Sequence, residues 1–260
     1  MSSVAVVSCD SQMIAAAQFR DEYYRAGLPV LLRGFLRAQP LCRGWSPGYL
    51  AARFGDAVID VMHTGPRDSD PDAGPYRGAR PMRLGDFVAT LDQESISDSG
   101  FYLVAQNQLL RRPEFESLLD EMTFDPGWFD ERRRKTHVSL WLGPAGTVTP
   151  LHFDLQNGLL IQAWGRKRVL LAAPVEGRYL YQGTTGYSRV DPERPDLAAF
   201  PLFGRAAVLQ VTLEPDDALF LPIGWWHHVR SLTASVSLSA SNFARHVSAA
   251  PGGTSSAESG

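Results

Sequence analysis

Residues 147–173 read TVTPLHFDLQNGLLIQAWGRKRVLLAA. Three short apolar runs, 147–155, 158–164 and 167–173, follow one another here with only a few turn residues between them. Runs of this length, bounded by Gly and Asn and rich in Val, Leu and Ile, predict β-strands, with no room for a helix in between. Working outward, similar runs lie at 136–142, 207–213, 217–221, 227–232 and 235–243. Many short strands without intervening helices predict an antiparallel sandwich or barrel.

Upstream of residue 136 the pattern is mixed. Met13, Ile14, Ala17, Phe19, Tyr23 and Tyr24 follow the capping candidates Asp10 and Ser11, which predicts a helix over 11–26 ending before Gly27. Residues 28–32 (LPVLL) read as a buried strand. A second helix starts at Ser46-Pro47 and stops at Gly55, and a strand follows over 57–63. Residues 64–80 are rich in Gly, Pro, Asp and Arg and are expected to form a mobile surface loop. A helix over 83–94, a strand over 101–106 and a helix over 113–122 complete this part. The expected class is therefore mainly β with an α/β N-terminal part. Its organisation is a cap over 1–135 packed on a β core over 136–246, with a disordered tail over 247–260.

Composition narrows the function. The 260 residues carry a net charge of -3 and are 44% hydrophobic and 20% charged. That suits an ordinary globular domain without the basic footprint of a nucleic-acid or anionic-membrane binder. No apolar run approaches the roughly 20 residues of a membrane span, and the N-terminus has no signal-peptide pattern. Cys9 and Cys42 are the only cysteines, which excludes a disulfide scaffold or a Cys-rich zinc site and fits a cytoplasmic protein. Lys135 and Lys167 are the only lysines; every other basic side chain among the 25 is Arg.

The chemistry is concentrated in Thr149-Pro150-Leu151-His152-Phe153-Asp154. Residues i and i+2 of a strand share a face, so His152 and Asp154 present an imidazole and a carboxylate side by side. A third ligand can come from Trp225-Trp226-His227-His228 in the same β region. Two imidazoles and one carboxylate make the facial triad that holds Fe(II) and leaves three positions open, two for a chelating cosubstrate and one for O2. Zinc usually takes more imidazole or thiolate ligands, and no cysteine is near. The competing reading is plainer: an isolated His-x-Asp pair, and a histidine packed in an aromatic cluster. Lys167, between Arg166 and Arg168, opens an apolar strand. If it points opposite to these neighbours it faces inward, where a buried ammonium needs an anionic partner such as the far carboxylate of a dicarboxylate cosubstrate. Thr149 offers a hydroxyl to the same group.

TVTPLHFD, GRKRVLLAAP, DALFLPIGWWHHVRSL and SLSASNF together resemble the JmjC, or cupin-like, Fe(II)- and 2-oxoglutarate-dependent oxygenases. The likeness covers roughly 136–243 and extends more loosely to GLPVLLRGFL and FYLVAQNQLL. The nearest pattern is that of the small asparaginyl-hydroxylase type. The resemblance implies a double-stranded β-helix (jelly-roll, cupin-like) core with iron at one open end. By motif position it implies His152, Asp154 and His227 as metal ligands and Lys167 as the anchor of the distal carboxylate of 2-oxoglutarate. Thr149, Asn242 and Tyr102 (or Leu103, one residue on) are implied beside the cosubstrate, with no catalytic residue beyond the metal centre. Three departures stand out. Gly158 occupies a position where the family often has Asn, with Asn157 one residue early. Ala244 stands where relatives commonly carry Trp. The C-terminal helices through which some relatives dimerise are missing, so a monomer is expected.

The implied reaction uses Fe(II), 2-oxoglutarate and O2, releases succinate and CO2, and hydroxylates a C–H bond of a peptide or protein side chain. The alternatives are a free amino acid or small natural-product intermediate, an N-methyl demethylation, and a cupin-like binding protein without turnover. The partner expected is thus a peptide, protein or small-molecule substrate, with no nucleic acid and no membrane. Trp225 and Trp226 are expected to pack the ligand strand, and the 64–80 loop to wall a substrate groove.

Overall fold

A computed structural model describes residues 6–38, 42, 44–63, 77–91, 100–123 and 125–244. The strands are β1 (Val7–Asp10), β2 (Val30–Arg33), β3 (Val58–His63), β4 (Arg77–Arg83), β5 (Phe101–Tyr102), β6 (Val138–Gly143), β7 (Val148–Phe153), β8 (Gly158–Trp164), β9 (Lys167–Ala172), β10 (Leu209–Leu213), β11 (Ala218–Leu221), β12 (Trp226–Ser231) and β13 (Ser235–Ala240). A six-stranded sheet runs β1-β2-β11-β8-β13-β6, and a four-stranded sheet runs β10-β9-β12-β7. Only β1 and β2 pair in parallel; the other pairs are antiparallel. These two sheets form the antiparallel sandwich that the strand pattern predicts, of the cupin-like kind that the resemblance implies. A third sheet, β4-β3-β5, lies beside them.

The period of two decides which residue faces where. Leu31, Leu160 and Leu219 of the large sheet meet Val169, Leu171, Val211, Leu213 and Val229 of the small sheet in the sandwich interior. Their neighbours Val30, Leu32, Leu159, Ile161, Ala218 and Phe220 point the other way, into a second core with Phe19, Phe35, Leu50, Leu84, Phe87 and Leu118 of the N-terminal part. Both faces of the large sheet are therefore buried, which explains the nearly uninterrupted apolar run of β8. Each such Leu contributes about 1.5–3 kcal/mol by leaving water. Gly165 makes the tight turn into β9: its φ is +71°, and a Cβ there would lie 2.0 Å from the Ala234 carbonyl oxygen.

The core strands fall within a few residues of their expected bounds, whereas the N-terminal elements differ more. The segment expected as one helix over 11–26 is a 3-10 turn at Ser11–Met13, an α turn at Ala16–Phe19 and a wider π turn at Arg20–Tyr24. Phe19 is drawn into the aromatic cluster with Trp128, Phe220 and Phe243, and that packing overrides a single helical axis. The strand expected over 101–106 ends at Tyr102 and gives way to a 3-10 turn at Ala105–Asn107. The helix expected over 83–94 spans Leu84–Ala89, and that over 113–122 is a 3-10 turn followed by Glu116–Asp120. Most of the 64–80 loop and the 247–260 tail lie outside the described residues. No helix among the described residues is long and apolar enough to cross a membrane.

Candidate metal centre and cosubstrate pocket

β7 and β12 are antiparallel neighbours, with His227 paired to His152 and Trp226 to Phe153. Directly opposed residues share a face, so both imidazoles enter the sandwich while Phe153 and Trp226 pack outside, 4.8 Å ring to ring. The same alternation settles the choice between the adjacent histidines: His227 faces the cavity, and His228 does not line it. The next pair in register is Val229 with Thr149, so three steps on β7 oppose two on β12. This bulge falls within Pro150–Leu151 and brings Thr149 and His152, an odd number of residues apart, to one cavity.

The ligand atoms of His152, Asp154 and His227 all lie within 4.8 Å of one another. His227 Nε2 is 3.8 Å from Asp154 Oδ2, and the two imidazole rings are 4.2 Å apart. His152 Nδ1 donates to the Pro150 carbonyl at 2.8 Å, and His227 Nδ1 donates to the Trp225 carbonyl at 3.0 Å. Carbonyls only accept, so each ring carries its proton on Nδ1 and keeps an Nε2 lone pair for a metal. Burial, then the nearby His227, pulls the His152 pKa down to about 3, so no proton competes for the site near neutrality. Two ring nitrogens and a carboxylate, with no thiol among them, fit Fe(II).

A cavity of about 400 Å³ runs from this triad to Lys167, with Thr149 and Tyr102 along its wall. Lys167 is 1% exposed, and no carboxylate among the described residues lies within 4 Å of it. The Tyr102 hydroxyl meets its Nζ at 3.3 Å. Burial lowers the Lys167 pKa to about 7. An isolated buried ammonium is costly, and an anion entering the cavity relieves that cost. Tyr102 reaches this place because Gly143 has no side chain: a Cβ there would lie 2.6 Å from Tyr102 Cδ2.

Tyr102, not Leu103, faces the cavity; Leu103 instead pairs with Leu142. Asn242 is not brought to the cavity. It lies beyond the end of β13, fully buried, and its Nδ2 donates to the Asp130 carbonyl at 3.2 Å, a tie between loop and core. Asn157 accepts from the Ile223 amide at 2.7 Å and Gly224 N–H donates to the Asp154 carbonyl, so the loops carrying Asp154 and His227 are bound together. Gly158 lines the cavity, and Trp225 and Trp226 pack in the cores on either side of β12.

Tyr187 is absent from the sequence reading and central to the site. It lines the cavity, its ring is 5.1 Å from the His152 ring, and burial raises its hydroxyl pKa. It belongs to residues 174–208, which form two short 3-10 helices (Pro174–Tyr179 and Pro201–Arg205), turns and isolated bridges with no hydrophobic period to read. Glu193 of the same segment receives Arg168 of β9 and Arg230 of β12 and so fastens the segment to the small sheet. Asp191, Glu193 and His228 also lie within metal-binding distance of one another. Glu193 already spends its charge on two guanidinium groups, so this second cluster is a latch.

A family model described as a cupin-like domain matches residues 16–247. The chain belongs to this cupin-like, JmjC-type family. Lysine-specific demethylase 8 of Xenopus tropicalis is 33% identical over 231 residues, 85% of this chain and 49% of the relative. Jumonji C domain-containing protein 5 of Drosophila melanogaster is 29% identical over 252 residues, 89% of this chain and 59% of that protein. tRNA wybutosine-synthesizing protein 5 of Homo sapiens is 37% identical over 229 residues, 84% and 72%. The chain thus spans about half to three-fifths of the first two relatives. Fe(II) and 2-oxoglutarate are the cofactor and cosubstrate of the JmjC-type oxygenases, and His152, Asp154 and His227 supply the ligand set that such an iron needs.

Proposed function

We propose that this chain is an Fe(II)- and 2-oxoglutarate-dependent hydroxylase acting on a C–H bond of a peptide or protein side chain. The observation that carries the reading is the pairing of two features in one cavity: a metal-ready triad, and a buried lysine with no counter-charge among the described residues. His152, Asp154 and His227 would hold the iron, which supplies the O2 and C–H chemistry when bound. Lys167, helped by Tyr102 and Thr149, would take the distal carboxylate of 2-oxoglutarate and orient its other end to the metal. Tyr187 and the strand walls would exclude water and hold the acceptor carbon in place. The family relatives named as a demethylase and as a tRNA-modifying protein share this domain, and the acceptor of this chain is its own question. The modest cavity, part of which the cosubstrate fills, also favours a second reading, a free amino acid or small intermediate as acceptor.

The test is a coupled assay with Fe(II), 2-oxoglutarate and O2 against a panel of peptides and metabolites. A 16 Da gain matched by succinate supports hydroxylation. Formaldehyde release in its place would support demethylation, and no succinate under any condition would refute the enzyme reading.

A further inference from the structure

Positive charge collects beside Thr136 and His137 of the cavity wall. Residues 131–135 read ERRRK, and Thr136 and His137, which follow, line the cavity. Most of this charge is neutralised locally. Arg132 pairs with Asp130, Arg134 with Glu131 and Asp120, and Lys135 with Glu116. Arg133 is different: among the described residues no carboxylate lies within ion-pair distance of it, though its charge helps to lower the Asp130 carboxyl, and its Nη2 lies 2.6 Å from His137 Nε2. Arg111 likewise has none within that distance. Its Nη2 donates to the Thr136 carbonyl at 3.0 Å and its Nη1 to Gln108 Oε1 at 3.2 Å.

Both guanidinium groups are held from behind by neutral acceptors. A guanidinium only donates, so His137 Nε2 accepts from Arg133, and the His137 proton sits on Nδ1, 2.6 Å from the Thr136 hydroxyl oxygen. Arg111 is aimed by a tight turn in which Gln108 holds a left-handed backbone with φ +49° and accepts the Arg111 amide at 2.9 Å. Two cations are thus placed beside His137 with N–H donors left over.

The two ends of the cavity are well separated. His137 precedes Val138 at one end of β6, and Gly143, against which Tyr102 and hence Lys167 sit, ends the strand. Five strand steps span about 17 Å. Lys167 and the triad line the cavity, while Arg111 and Arg133 stand outside its lining, each hydrogen-bonded to a residue that belongs to it, Thr136 or His137.

We infer that the acceptor carries a carboxylate that docks on Arg111 and Arg133 while its reacting carbon lies beside the triad. The inference rests on the oxygenase reading for the identity of the deep-end ligand. A carboxylate matches a guanidinium group in shape and charge. A nucleic-acid backbone fits less well: its successive phosphates would run over Asp130, Glu131 and Asp120, and the chain as a whole is at -3. The carboxylate can belong to a free acid or to an acidic residue in a peptide.

The experiment uses the Fe(II)-loaded chain under nitrogen, saturated with 2-oxoglutarate so that the Lys167 end is filled. Paramagnetic broadening of probe resonances reports binding near the metal. The probes are acetyl-Gly-Glu-Gly-amide, its Gln and Lys counterparts, free L-glutamate and an octauridylate. The glutamyl tripeptide or L-glutamate is expected to bind about fivefold tighter than the Gln and Lys tripeptides, and whichever is tighter identifies the source. Arg111→Gln with Arg133→Gln, both at exposed positions, should erase the preference. Equal binding of L-glutamate and all three tripeptides, a preference that survives both substitutions, or tightest binding of octauridylate would each overturn the inference. The visible charge-transfer band of the Fe(II)–2-oxoglutarate complex should persist in the double variant. If the wild-type chain lacks that band yet keeps the glutamyl preference, the oxygenase reading falls and the carboxylate site stands.

Discussion

His227 lies directly opposite His152 across the β7–β12 pair, and their rings are 4.2 Å apart. A slip of one residue along β12 would turn the His227 ring out of the sandwich and bring His228 in. The adjacent histidines therefore make a sharp control. His227→Ala should weaken Fe(II) binding by more than the roughly 10–100-fold that losing an outer hydrogen-bond partner of a ligand costs. His228→Ala should leave Fe(II) affinity within a few-fold. Equilibrium dialysis of the two variants checks this.

Lys167→Met should weaken 2-oxoglutarate by about 2–4 kcal/mol, because the cosubstrate would bury a carboxylate with no cation. In the ligand-free chain the same change should raise thermal stability, since it removes an uncompensated buried charge. Calorimetry of both states checks the pair of effects. A loss of affinity together with a loss of ligand-free stability would point to a packing role alone.

The pH dependence follows from the same group. Its folded pKa, about 7, is below the ordinary 10.5, so between these values the unfolded chain holds a proton that the folded chain has released. The burden on ligand-free stability is full below about pH 7 and is relieved as pH rises towards 10.5, by at most about 1.4 kcal/mol per pH unit. Denaturant titrations across pH 7–10 should show wild-type stability rising relative to Lys167→Met. 2-Oxoglutarate binding above pH 7 should take up a proton, measurable by calorimetry in buffers of different ionisation enthalpy.

Gly143→Ala places a methyl group where the Tyr102 ring now packs. Overpacking of this kind costs about 1–3 kcal/mol, and the ring must move off Lys167. The expected result is a raised KM for 2-oxoglutarate with metal affinity unchanged. A normal KM would show that Tyr102 does not position the lysine.

Glu193→Gln loosens the clamp on Arg168 and Arg230. Burial raises the Glu193 carboxyl, but the two arginines outweigh it and hold its pKa below the ordinary value. Loss of these charged hydrogen bonds should cost about 2 kcal/mol. Limited proteolysis should then cut first within 174–208, and acceptor turnover should fall as Tyr187 is released from the site.

What the sequence makes legible is what local chemistry dictates. His152 and Asp154 share a face by the strand period, and Lys167 is conspicuous because a lysine opens an apolar run. The sandwich follows from short runs such as 158–164. Three things are hidden. The bulge within Pro150–Leu151, which aligns Thr149 with His152, is a property of the pairing and leaves little trace in one strand. Tyr187 lies in a segment whose order comes from Glu193 gripping distant arginines. The pairing of β2 with β11, with β1 added on its far edge, is a long-range contact made by residues that read locally as an N-terminal cap.

The central claim is that His152, Asp154 and His227 hold one Fe(II) in the cavity that Lys167 closes. Anaerobic titration with Fe(II) and 2-oxoglutarate tests it most directly, read by the weak visible charge-transfer band in the green. The account predicts a band that requires both components, saturates at one iron per chain, and vanishes in Asp154→Ala, whose exposed side chain can be removed with the fold intact. A wild-type chain that gives no band, or an Asp154→Ala chain that gives the same band, would contradict it.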